Sequence, residues 1–175
     1  MPKKKKSPTA FKVPAQKVQR SVYRPKLRYG DPDPAFMERV KTLAEGDTLT
    51  LCLKSPIPRG FVVVGVTTDL SRSHEVNNAL IIKRPGPQET ICAGSPIPTG
   101  YVIVGQTTNI ACSNQVNNAL IIKTPGEQEI VCAHSTIPEG YEIIGTTTSL
   151  ACGHDLNNAL NIRKISAAPL DSKQE

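Results

Sequence analysis

The chain has 175 residues, a formal net charge of +6 and 38% apolar residues, with only 4% aromatic residues and no tryptophan. This composition fits one domain plus an arm, and it favours an aliphatic β-sheet core over an aromatic-rich ligand cleft. No window holds the roughly 18 unbroken apolar residues of a membrane-spanning helix, and the N-terminus lacks the apolar region of a secretory signal peptide. We therefore expect synthesis in the cytoplasm.

The positive charge is concentrated in an N-terminal arm, residues 1–30. The arm has ten basic and no acidic residues, whereas residues 31–175 have 11 basic and 15 acidic ones, a balance of −4. Its four prolines and lack of apolar periodicity indicate an extended or disordered arm, although apolar residues are spaced through it like anchors for a partner. We expect a partner to bind its basic residues: Lys3, Lys4, Lys5, Lys6, Lys12, Lys17, Arg20, Arg24, Lys26 and Arg28.

The lysine run at residues 3–6 has three interpretations. The simplest is a solvated chain end. A polybasic contact with nucleic acid or with an acidic surface would release counterions and would weaken steeply with salt. The segment PKKKK is also similar to a short nuclear import signal, a pattern that often arises by chance.

Residues 31–47 predict a short helix and a linker between the arm and the body. Asp33 is suited to the N-cap, Pro34 to the first helical position and Gly46 to the end of the last turn. The apolar residues between them recur at helical spacing and form one stripe. We expect this face to pack on the body.

One stretch of sequence occurs three times, beginning at Cys52, Cys92 and Cys132, and its first two copies agree at most positions. Such regular self-similarity, here at a period of about 40 residues, is typical of repeat architectures. Each copy predicts a strand near the first cysteine, a Pro/Gly-rich connection, a β-branched strand with a central glycine, a polar loop and a further strand. These patterns predict an all-β domain over residues 48–166, with repeats at about 48–87, 88–127 and 128–166. A polar tail follows at 167–175.

A β unit as short as one of these repeats cannot bury its apolar face alone, so the three units must pack together. In length and number the repeats resemble those of β-trefoils and three-sheet β-prisms, and this likeness implies a closed pseudo-threefold body. Neither family's sugar-binding signature is present. An open solenoid would need end caps, for which only the short helix is available, so we expect the closed body.

The cysteines support two interpretations. Two pairs lie 20 residues apart in the chain, Cys92 with Cys112 and Cys132 with Cys152. A cysteine pair that is present in two repeats suggests a disulfide within each of these repeats. Cys52 would then be unpaired, because the first repeat has Arg72 at the position of the second cysteine. Synthesis in the cytoplasm favours instead five buried, reduced thiols.

The third repeat also has two Cys-x-His sequences. Residues two apart on a strand point to one face, so both histidines could join both cysteines in a tetrahedral zinc site. Its ligands would be Cys132, His134, Cys152 and His154. This is not a usual zinc spacing, and we expect neither a metal nor another cofactor.

An Asn-Asn pair precedes the last strand of every repeat. Asn amides can bind sugar hydroxyls, and a three-site lectin would use Asn78, Asn118 and Asn158. Asn also tolerates left-handed backbone and bonds nearby backbone groups, as the entry to a strand requires. Because the loops before the pairs differ in sequence, we favour this structural role.

The sequence has no glycine-rich phosphate loop, HExxH or GxSxG motif, so we expect no enzyme activity. We expect a structural or binding protein whose arm attaches a rigid β body to a protein or particle surface, such as a virion. The alternatives are a lectin-like carbohydrate-binding module and nucleic-acid binding through the arm. We expect no membrane partner.

Overall fold

The computed structural model describes residues 27–44, 46–71 and 74–166. Within them the chain forms helix α1 (Pro34–Lys41) and nine strands in three antiparallel sheets. The first sheet contains β1 (Thr48–Cys52), β2 (Val62–Thr67) and β3 (Ala79–Lys83). The second contains β4 (Gln88–Cys92), β5 (Val102–Thr107) and β6 (Ala119–Lys123). The third contains β7 (Gln128–Cys132), β8 (Tyr141–Thr147) and β9 (Ala159–Lys164), so the all-β prediction is confirmed with one sheet per repeat.

In every sheet the last strand of the repeat lies in the middle, in the orders β1–β3–β2, β4–β6–β5 and β7–β9–β8. The register of the second strand shifts at its central glycine, between Val63 and Gly65 in the first repeat and at the equivalent residues of the others. The extra residue is a β-bulge, which bends the strand and increases its local twist.

Hydrogen bonds from this bulged strand join each repeat to the next one. The backbone N–H of Val63 donates to Ser95 Oγ at 2.9 Å, and at the equivalent position of the second repeat Ile103 N–H donates to Ser135 Oγ at 2.9 Å. A serine hydroxyl thus accepts from a buried strand N–H that would otherwise be left unsatisfied.

The central glycine lets the following repeat come close. An added Cβ at Gly65 would lie 3.3 Å from the carbonyl oxygen of Ala111, which itself accepts a 2.8 Å hydrogen bond from Val66 N–H. At Gly105 the same Cβ would lie 3.3 Å from the carbonyl oxygen of Ala151. The glycine therefore provides the space in which the next repeat's loop packs.

The two ends of the series differ. At the first repeat, Phe36 and Val40 of α1 are buried in the core of the first sheet. They pack against that core as Val62 of the first repeat packs against the core of the second sheet. At the third repeat, Ile143 and Ile144 of β8 are 54% and 47% exposed. The hydrogen bonds from Val63, Val66 and Ile103 join repeats that are neighbours in the chain, and closure into a β-trefoil-like or β-prism-like body is not confirmed.

Helix α1 begins as expected and ends early. Asp33 Oδ1 accepts from Phe36 N–H at 3.0 Å, and Pro34 occupies the first turn. The helix stops at Lys41, before the predicted Gly46, because Thr42 N–H turns back to the carbonyl oxygen of Arg39. In the described part of the chain no helix is long and apolar enough to cross a membrane.

Residues 27–30 run along the first repeat before α1. Tyr29 pairs with Ile57 in a parallel bridge, and the backbone of Gly30 and Arg28 bonds both sides of Ile57 at 2.9 Å. The buried hydroxyl of Tyr29 has no hydrogen-bond partner among the described residues, and burial raises the pKa of Tyr29 from 10.0 to about 12.

Substitution of Gly105 by alanine should destabilise the protein by about 1 kcal/mol, because the new methyl group would press on the loop of the third repeat. The matched change is Gly145→Ala, where the nearest atom to an added Cβ is Asn161 Nδ2 at 3.7 Å. This control should leave stability unchanged or slightly raised. Thermal unfolding of both variants gives the comparison, and equal melting temperatures would contradict the docking role of Gly105.

Substitution of Tyr29 by phenylalanine should raise the free energy of unfolding by about 1 kcal/mol, because it removes a buried, unpaired hydroxyl. In the unchanged protein, stability should fall between pH 10 and 12, where the unfolded phenol ionises and the folded one does not. Tyr29→Phe should flatten that part of the pH profile. Tyr141→Phe is the control and should lose stability, because the Tyr141 hydroxyl donates to the carbonyl oxygen of Pro125 at 2.9 Å. Urea unfolding across this pH range measures both effects.

Candidate functional site: the exposed loop stripe

The loop between the second and third strands of each repeat carries two large apolar side chains in solvent. Their exposed fractions lie between 72% and 83%. They occupy the same two loop positions in all three repeats: Leu70 and Val76, Ile110 and Val116, Leu150 and Leu156. We name these six side chains the loop stripe. Single exposed apolar residues are ordinary, but a set repeated at equivalent positions makes these loops the candidate interaction surface of the described residues.

The second Asn of each pair fixes the shape of these loops. In the second repeat, Asn118 Oδ1 accepts from Asn109 N–H at 2.7 Å and Asn118 Nδ2 donates to Asn109 O at 2.9 Å. The same Nδ2 donates to the carbonyl oxygen of Ser113 at 2.7 Å. Asn118 is only 5% exposed, so its amide serves the loop backbone from within.

The same bridge exists in the other two repeats. Asn78 bonds both backbone groups of Asp69 at 2.7 and 2.9 Å, and Asn158 bonds those of Ser149 at 2.8 and 2.9 Å. The three amides considered for sugar binding are therefore engaged with their own loops. This geometry agrees with the structural role that the sequence favours.

The first Asn of each pair makes the turn into the last strand. Asn77, Asn117 and Asn157 have φ values of 55°, 52° and 55°, in the left-handed region that Asn tolerates better than most residues. Their backbone N–H groups donate to the hydroxyls of Thr68, Thr108 and Thr148 at 3.0 to 3.1 Å. Each loop is thus closed at its base by a recurrent Thr–Asn bond.

The second and third loops are also fixed from below by the preceding repeat. Ala111 and Ala151, whose carbonyl oxygens lie over Gly65 and Gly105, are each the residue next to a stripe isoleucine or leucine. The second loop, residues 108–117, contains no charged residue. The centre of the stripe therefore presents apolar side chains on a rigid, uncharged support.

The cysteines 20 residues apart are joined, Cys92 to Cys112 and Cys132 to Cys152, while Cys52 has a free thiol. This differs from the interpretation of five reduced thiols. Because both sulfurs are used in the disulfide, the third repeat offers no thiolate for the considered zinc site, and His134 and His154 are exposed side chains. In residues 27–44, 46–71 and 74–166, no three His, Cys, Asp or Glu side chains form a metal-binding group.

The basic arm lies mostly outside the described residues. Lys3, Lys4, Lys5, Lys6, Lys12, Lys17, Arg20, Arg24 and Lys26 precede the first described residue. Arg28 has an exposed side chain, and its carbonyl oxygen accepts from Ile57 N–H at 2.9 Å. Arg28 therefore lies where the arm joins the first repeat.

The sequence interpretation missed the loop stripe. The loops DLSRSHEV, NIACSNQV and SLACGHDL differ at most positions, yet the second and the eighth residues are aliphatic in all three. Aligning the loops position by position would have shown this. Exposure, however, depends on where the loop folds, since aliphatic residues in a repeat more often belong to the core.

Substitution of Asn118 by alanine should lower the free energy of unfolding by about 2 kcal/mol, because two backbone groups of Asn109 would lose their buried partner. Asn114→Ala, an exposed change in the same loop, should alter stability by less than about 0.5 kcal/mol. Chemical denaturation of both variants makes the comparison. Unchanged stability of Asn118→Ala would show that the amide is not a structural brace.

Comparisons with protein-family models, with curated proteins and with solved structures gave no match to this chain. Relatives therefore supply no function. On the described surface, the feature that recurs in every repeat is a pair of exposed apolar side chains on a loop that hydrogen bonds hold in place.

Proposed function

We propose that this protein is a non-enzymatic structural or binding protein that attaches to a protein surface of a larger assembly. The loop stripe is the observation that carries the proposal. Three loops at equivalent positions present six apolar side chains, and such side chains gain most of their binding free energy when a partner removes them from water.

The hydrogen bonds that hold the loops of the stripe favour binding to a protein partner. The Asn bridges and the Thr–Asn bonds order each loop before a partner arrives, so association loses little loop entropy. Apolar side chains with polar neighbours such as Asn114 and Gln115 have the composition of an interface core with a polar rim.

The arm would act as the second contact. Its ten basic residues precede a body with a net charge of −4, so an acidic partner surface would attract the arm and not the body. A macromolecular particle such as a virion offers both an apolar protein surface and acidic regions. Synthesis in the cytoplasm followed by incorporation into that particle fits this assignment.

Nucleic-acid binding is the second candidate, and the charge of the arm is the observation that favours it. Carbohydrate binding gains less support, because the amides of Asn78, Asn118 and Asn158 bond their own loops. Nuclease and salt separate these candidates experimentally.

The test is sedimentation of the full chain with its native assembly, with and without nuclease. We expect the unchanged protein to sediment with a nuclease-resistant particle. Replacement of the six stripe residues by serine should lower the bound fraction at least roughly tenfold. Burying one Leu, Val or Ile side chain contributes about 1.5–3 kcal/mol, and about 1.4 kcal/mol is a tenfold change in affinity.

The matched control replaces Ile143 and Ile144, which are exposed apolar residues outside the stripe, by serine. This variant should sediment like the unchanged protein. Release by nuclease would favour the nucleic-acid candidate. Full retention of the stripe variant on the particle would contradict the proposal.

A further inference from the structure

A cavity of about 380 Å³ lies between the first and the second repeats. Leu53, Val63, Val66 and Leu80 of the first repeat form one wall, and the Cys92–Cys112 disulfide of the second repeat forms another. Leu27, the first described residue, lies at its edge. The volume is within the range of about 300–1,000 Å³ that small-molecule sites occupy.

The second junction is built differently at the matching position. The residue equivalent to Val66 is Gln106, and its Nε2 donates a hydrogen bond to the carbonyl oxygen of Cys152 in the next repeat at 3.5 Å. Valine is too short to reach the next repeat and has no side-chain donor, so at the first junction the space beside Val66 remains as the cavity. The residue at this position therefore distinguishes the first junction from the second.

The lining restricts the kind of ligand. None of the described lining residues is charged, and the deep walls are aliphatic side chains and disulfide sulfur. An ion would lose its hydration in this cavity without a counter-charge, whereas an uncharged apolar molecule would gain free energy on leaving water.

The mouth of the cavity can bind one polar group. Asn114 and Gln115 lie on its rim, and neither side-chain amide has a hydrogen-bond partner among the described residues. Gly94 is also at the rim, and a Cβ built there would meet no atom within 4 Å. In the third repeat the equivalent position is His134, so the glycine keeps this mouth open.

We propose that this cavity is a binding site for a small, uncharged, apolar molecule that carries one hydrogen-bonding group at one end. The apolar part lies against Val63, Val66 and Leu80, and the polar end lies at the amides of Asn114 and Gln115. Its rim residues Asn114 and Gln115 lie on the second loop, between Ile110 and Val116 of the loop stripe, but none of the six stripe side chains lines the cavity. Binding in the cavity therefore does not depend on the proposed attachment to an assembly.

The probe for the test is 1-aminoanthracene, an uncharged fluorescent aromatic with one amine. Titration of the full chain should show one saturable site. Val66→Gln, which copies the residue of the second junction, should weaken the affinity at least tenfold. Gln106→Val, the reciprocal change outside this cavity, should leave the affinity of the first site unchanged.

Two further variants keep the result unambiguous. If Val66→Gln does not fold, Gly94→Phe places an aromatic ring at the mouth, at a position where an added Cβ meets no atom within 4 Å, and should weaken the affinity by a similar factor. The variant with six stripe residues replaced by serine should retain the site. Absence of saturable binding in the unchanged chain, or equal affinity when the cavity is blocked, would overturn the proposal.

Discussion

The close approach of the second and third loops to the bulged strand of the preceding repeat holds the three sheets together. A three-stranded sheet with one covered face is close to the lower limit of independent stability, so each sheet depends on its neighbour. At Gly65 and Gly105 the absence of a side chain allows a loop carbonyl to lie against the strand, and a serine hydroxyl accepts from the strand's outer edge. Because these contacts are mostly polar and directional, they also fix the orientation of the loops above them.

The disulfides belong to the same arrangement. Cys92 lies in the core cluster of the first sheet, and Cys132 and Cys152 lie in that of the second, so each disulfide packs beneath the sheet of the preceding repeat. The first repeat has no preceding sheet. Its own Cys52 is unpaired, and α1 with the segment at 27–30 packs against its core. The missing half of the cysteine pair thus coincides with the repeat that has a helix as its neighbour.

Local features were predictable from the sequence, and contacts between repeats were not. Asp33 and Pro34 define the start of α1, and the glycines at 65, 105 and 145 mark the bulges, because these effects depend on a few adjacent residues. Closure was expected from the number of repeats. Whether the third repeat meets the first depends on the rotation between sheets, and this rotation cannot be predicted from a residue pattern. The loop stripe was missed for a related reason: the exposure of these aliphatic residues follows from the fold of their loops, which depends on hydrogen bonds such as that between Asn118 and Asn109.

The exposed strand β8 differs from β2 and β5 at the positions where those strands meet the next repeat. Glu142, which pairs with Arg163 at 2.6 Å, stands where Val62 and Val102 pack against the following sheet. Asn161 stands where Ile81 and Ile121 lie beside the central glycine. A further repeat docking here would have to remove an ion pair from water, so β8 has the polar face of a terminal repeat. Two polar residues thus set how many loops can act together, and hence the avidity of the surface.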